Sequence, residues 1–130
     1  MNWTRAILGG ILAELFLIVA FVPVALTVGF DSLADPDNIP PLVMAVVVFG
    51  SFVTTFVLMQ WVARRVSSRF VLHGAVVGLA AFAVYIIPVL ATGGEQPPMY
   101  WFAHAMKVLG GITGGLVAAR RTERPTAAAV

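Results

Sequence analysis

The sequence contains no cysteine, which removes disulfides, thiolate metal sites and a cysteine nucleophile in one step and leaves the redox compartment open. Charge is also scarce: 11% of the 130 residues are Asp, Glu, Lys or Arg, against about 25% in an ordinary soluble domain. Histidine occurs twice and lysine once, so a His-rich metal set cannot be assembled. No Ser/His/Asp order, Gly-rich phosphate loop or cofactor motif is present. No catalytic residue, metal or cofactor is therefore expected, and the chain does not read as an enzyme.

What is abundant is apolar side chain, 60% of the residues, at a formal net charge of only +2. Disorder needs low hydrophobicity and high net charge, and a soluble globule cannot hide this much apolar surface, so the chain belongs in lipid. Seven arginines and one lysine make no basic face for nucleic acid, and their basicity reads as membrane topology.

A spanning helix needs about 20 mostly apolar residues. Four stretches qualify when the chain is cut at its charges and Gly/Pro clusters: Ala6 to Phe30, Ile39 to Ala63, Phe70 to Ala91 and Met99 to Ala119. The first follows Arg5 like a secretory signal, but a signal's apolar core is about 7–15 residues and no small-x-small cleavage site follows, so it is kept as a span. The expected fold is all-α, an integral membrane four-helix bundle in a single domain over 1–119, with 120–130 a disordered tail.

Lys and Arg near span ends stay on the cytoplasmic side. Arg5, then Arg64, Arg65 and Arg69, then Arg120, Arg121 and Arg124 all fall at one end, whereas the other loops hold Asp31, Asp35, Asp37 and Glu95. That asymmetry puts both termini in the cytoplasm of a multi-pass cell-membrane protein, in a bacterial-type inner membrane. Asp37 or Asn38 is a candidate cap for span 2, Ser67 or Ser68 for span 3, and Gln96 with Pro97 and Pro98 opens span 4. Trp3, Trp61, Tyr100 and Trp101 near span ends read as an aromatic belt. Pro23 and Pro88 predict kinks.

A weak repeat runs from Pro40-Pro41 to Arg64-Arg65 and from Pro97-Pro98 to Arg120-Arg121. It reads as two hairpins related by an axis along the membrane normal, or simply as the common length of two helices descending one bilayer. The unlike interiors favour the second reading.

Two charges fall inside spans, Glu14 and Lys107. Each costs about 2.5–3.5 kcal/mol to insert, so each needs a reason. At 1.5 Å per residue their depths differ by about 9 Å, within the combined reach of two long side chains, so they can pair. In span 4, Tyr100, His104, Lys107, Gly111, Gly114 and Ala118 recur at helical steps and make a polar and small-residue stripe that should face protein or water. Gly110 with Gly114, and Gly111 with Gly115, are overlapping GxxxG pairs that permit close helix approach. Gly74, Gly78, Ala81 and Tyr85 share one face of span 3, Gly10 precedes Glu14 by a turn, and Ser51, Thr54 and Thr55 lie near mid-depth of span 2. His73 and His104 enter from opposite ends, too far apart to share a metal. His104 is expected beside Lys107, and His73 at the membrane interface.

The segment GGILAEL, Gly9 to Leu15, resembles the first helix of the small multidrug resistance transporters, four-helix proteins whose glutamate there binds protons and cationic drugs. The resemblance implies that Glu14 is a coupling residue in an oligomer. It spans these seven residues. Span 3 lacks that family's aromatic and glycine pattern, Lys107 adds a cation near the site, and the loop from Asp31 to Asn38 is longer.

The favoured reading is a structural or accessory subunit whose glycine stripes and Glu14/Lys107 pair hold the bundle together or dock a partner, in a homo-oligomer or on another membrane protein. The alternative is a proton- or solute-coupled transporter using Glu14, Lys107, His104 and Tyr85.

Overall fold

The computed structural model describes residues 2–29, 39–93 and 98–123. All of its regular structure is helical: α1 (Trp3–Val28), α2 (Pro41–Ala63), α3 (Phe70–Ala91) and α4 (Pro98–Glu123). At 1.5 Å per residue these run about 33–39 Å, and all four are long and apolar enough to cross a membrane. Many of their large apolar side chains point outward: Val19, Leu26, Phe49 and Leu90 are 66–69% exposed. Facing water, such a surface would be an aggregation site; facing lipid, it is the solvent contact.

Helices are the form that lets each segment satisfy its own backbone in lipid. Side-chain hydroxyls add to this, with Thr54, Thr55, Thr113 and Thr122 each donating to the carbonyl one turn earlier at 2.7–2.9 Å. α1 and α3 run on through Pro23 and Pro88. Near the latter, the Thr92 hydroxyl and amide both donate to the Pro88 carbonyl.

The ends differ in detail from the expected spans. α2 is preceded by Pro40 and opens on Pro41, whose fixed φ suits a first helical residue. Asp37, Asn38 and Gln96 lie outside the described residues. Neither Ser67 nor Ser68 caps α3. Its N-cap is Arg69, in the left-handed region at φ 55° and without a side-chain cap bond. α4 continues through Arg120 to Glu123, past the expected stop at Ala119, because intrahelical bonding costs less than fraying while Arg121 has a partner to reach. Its guanidinium donates to Gln60 Oε1 at 3.3 Å. Residues 124–130 of the expected tail lie outside the described residues.

The helices alternate up and down, and the ring order is α1, α2, α4, α3. Closest approaches run between α2 and α4 and between α3 and α4. α1 packs on α2 and α3, while α1 and α4 face each other along the long diagonal without close backbone contact. A two-fold along the membrane normal would place α1 diagonal to α3, so the repeat reading by hairpin symmetry does not hold. α1 and α3 are neighbours because Gly10 lets α1 lie directly on the backbone at Val77 and Ala81.

The two glycine pairs of α4 serve different neighbours. A Cβ on Gly110 or Gly114 would meet α2, at Phe52 and Thr55 or at Phe56 and Met59, whereas one on Gly111 or Gly115 would meet α3, at Gly74 and Gly78 or at Phe70 and Val71. Adjacent positions on a helix point about 100° apart, which lets one tetrad seat α4 in the groove between two helices. Gly74 and Gly111 oppose each other directly. These stripes are consumed inside the chain.

Polar ties close the arginine-bearing end. Arg5 lies 4.0 Å over the Trp61 ring and donates to the Trp61 carbonyl at 3.3 Å, joining α1 to α2. Gln60 donates to the Gly114 carbonyl at 2.9 Å, joining α2 to α4.

Candidate functional site

Two mid-helix charges meet at the centre of the bundle. Lys107 Nζ lies 2.7 Å from Glu14 Oε2, both side chains being 3% exposed. The pair bridges the long diagonal from α4 to α1, where backbones stay apart and only two long side chains can cover the distance. Gly10 sets this up one turn before Glu14 by seating α1 deep against α3, which aims the glutamate inward.

Lys107 is held from a second side. Its ammonium lies 5.1 Å from the centre of the Tyr85 ring, within the range of a cation–π contact. Tyr85 stacks on Tyr100 at 5.9 Å and meets His104 at 4.9 Å, and His104 also touches Phe82 at 4.8 Å and Trp101 at 6.1 Å. Glu14, Lys107, His104 and Tyr85 thus converge on one place. Tyr100 belongs to this aromatic cluster as well as to the helix end.

A cavity of about 280 Å³ opens against the pair. α1 contributes Glu14, Leu17 and Phe21, α2 Ser51, α3 Tyr85, and α4 Tyr100, His104 and Lys107. Except for the pair itself, these residues lie in the half of the bundle away from the arginines. The reason is side-chain size. Toward the arginine end, Gly9, Gly10, Gly74, Gly111 and Gly115 sit against neighbouring helices and draw them together, whereas Phe21, Phe82, Tyr85 and Tyr100 occupy the other half and hold the helices apart. The walls are almost wholly apolar, and Glu14 and Lys107 are the charged groups among them.

Ser51 was a fainter signal in the sequence, one hydroxyl at mid-span between Gly50 and Phe52. It is wholly buried, lines the cavity, and its Oγ has no hydrogen-bond partner. Leu17 and Phe21 carried no signal, since an apolar residue facing a cavity looks the same in sequence as one facing lipid.

His73, in the first turn of α3 at the arginine-bearing end, is covered by protein. It is 1% exposed, stacked on Trp3 at 5.1 Å, with Nδ1 2.9 Å from the Arg69 carbonyl. Trp3 covers it because α1 and α3 are parallel neighbours, which no local pattern reveals. His73 and His104 keep separate company, and among the described residues no three His, Cys, Asp or Glu side chains gather as a metal site would require.

The arrangement can neutralise two charges in lipid, exchange a proton or a cationic group at Glu14, and receive an anionic group at Lys107. No protein-family model, no curated protein and no solved structure matches this chain. Gly9 to Leu15 therefore stands alone as a likeness to the small multidrug resistance transporters. What the helices themselves establish is a small, all-α membrane protein with four helices able to cross the bilayer.

Proposed function

We propose that this chain is a small solute-binding membrane protein, a proton- or solute-coupled carrier, whose site is the cavity ending on Glu14 and Lys107. The observation that carries this reading is the position of the ion pair, which lines a largely apolar cavity. Desolvating two charges is repaid only by close partners on every side, and a purely structural pair is best served by complete packing. This one has Tyr85 on one flank and a cavity on the other.

The chemistry of the lining defines the solute. At about 280 Å³ the cavity sits at the small end of ligand sites, which run about 300–1,000 Å³. Its walls suit an apolar body and the Glu14/Lys107 pair a single polar or charged head. A proton or cationic head competes with Lys107 for Glu14, so binding and opening of the pair are linked. The arginine asymmetry supports a cytoplasmic position for both termini, which turns the cavity toward the opposite face.

The absence of cysteine makes a clean test available. Ser51→Cys is the only thiol in its variant, and in right-side-out membranes a small, membrane-impermeant methanethiosulfonate added outside is expected to modify it. Modification only in inverted vesicles would retain the cavity and reverse the orientation. Failure from both sides would sink the cavity reading.

The accessory-subunit reading draws on a different observation, the span of the pair across the long diagonal, where it braces the bundle. Its glycine surface faces inward, so a partner or second copy would have to dock on the bulky apolar faces. The mass and composition of the particle extracted in lipid discs decides between a stoichiometric partner, a homo-oligomer and a monomer.

A further inference from the structure

At the arginine-bearing end, the turn between α2 and α3 shapes a second, polar cavity of about 350 Å³, lined by Arg65, Ser67 and Ser68 of the turn with Asn2 and His73. α3, a helix of 22 residues, starts at this turn with no side-chain cap on its first amides. An uncapped helix start carries unpaired N–H groups and partial positive charge, the recurring setting for a bound anion.

His73 supplies an independent indication. Its Nδ1 is engaged by the Arg69 carbonyl at 2.9 Å, and because a carbonyl only accepts, Nδ1 carries the hydrogen. One ring face is covered by Trp3. What remains is Nε2, a buried atom with no hydrogen-bond partner, on a residue that lines the cavity and is 1% exposed. A buried polar atom left unpaired is costly, so a partner from outside the chain is called for. The ring accepts from an acidic hydroxyl when neutral and donates to an oxyanion when charged.

We propose that this cavity binds a phosphate group, with the Arg65 guanidinium, the Ser67 and Ser68 hydroxyls and His73 Nε2 converging on it at the start of α3. A phosphate monoester offers both P–OH and P–O⁻, so it answers His73 in either form, which a carboxylate does not. The Arg65 fork matches its oxygens. The group can belong to a lipid headgroup or to a free phosphate, and the chemistry at the site is the same.

The test uses the full-length chain in neutral detergent, titrated calorimetrically with dihexanoyl phosphatidic acid, dihexanoyl phosphatidylcholine and inorganic phosphate. Phosphatidic acid, inorganic phosphate or both are expected to bind more tightly than phosphatidylcholine. Arg65→Gln with Ser68→Ala is expected to weaken that binding by about tenfold or more, the scale of a lost charge-assisted contact. Both residues are exposed, so thermal melting of the variant should be unchanged, whereas His73→Ala would also lose the Trp3 stack. Binding of phosphatidic acid alone assigns a lipid headgroup, and binding of inorganic phosphate a soluble anion. No binding by either, equal binding of phosphatidylcholine, or undiminished binding in the double variant overturns the site.

Discussion

Glu14→Gln and Lys107→Met are each expected to lower the unfolding free energy in detergent or bicelles by about 3–5 kcal/mol, the cost of leaving one member of a buried pair uncompensated. The double variant should lose clearly less than the sum, because it removes both charges from a region where both are 3% exposed. Lys107 keeps its Tyr85 contact at 5.1 Å in the Glu14 variant, but a ring quadrupole worth about 2 kcal/mol when desolvated does not replace a carboxylate. Reversible unfolding of the four proteins, followed by helical signal, measures the coupling. Single variants as stable as the parent, or strictly additive losses, would show that the two charges do not depend on each other. A folded double variant in which the Ser51→Cys thiol still reacts would separate the cavity from the pair that lines it.

A second large effect is expected at the α3/α4 crossing. In Gly111→Ala the new Cβ falls 3.0 Å from the Gly74 carbonyl carbon and 3.2 Å from the Gly78 amide nitrogen. Both obstacles are backbone, so the helices must separate. Overpacking typically costs about 1–3 kcal/mol, and this position belongs at the upper end because displacing α4 also moves Lys107 relative to Glu14. Gly111→Leu should prevent assembly of the bundle. Gly50→Ala is the control, since its Cβ meets only Leu17 Cδ1 at 2.7 Å, the far end of a side chain that can turn, and a change within about 0.5 kcal/mol is expected. Thermal melting of the two alanine variants side by side tests the contrast. Similar melting of Gly111→Ala and the parent would mean that the close backbone approach of α3 and α4 does not limit stability.

These two predictions separate what holds the protein together from what it is used for. Glycine contacts bring the arginine half into close packing, and aromatic side chains keep the other half open. Changing the first should alter stability, whereas Ser51→Cys should alter access to the cavity with little effect on folding.

The four spans were legible in the sequence because in lipid each segment must satisfy its own backbone and match the hydrocarbon thickness, and both requirements are local. α2 ends at Ala63 and α3 runs from Phe70 to Ala91, at the residues where charge or Gly/Pro interrupts the apolar run. Recurrence at three- and four-residue steps also marked which side chains share a face. Gly111 and Gly115 read as one edge of α4, and Gly74, Gly78 and Tyr85 as one edge of α3.

Which faces meet was decided by the tertiary structure. Periodicity sets angles about one helix axis and carries no information on the neighbour across from it. The ring order, the separate duties of the two glycine pairs, the burial of His73 under Trp3 and the cavity beside Ser51 all depend on how four such axes are arranged. The meeting of Glu14 and Lys107 is the clearest case: their depths made a pair feasible, but only the placement of α1 and α4 on opposite corners, apart in backbone and joined by two long side chains, made it the centre of the molecule.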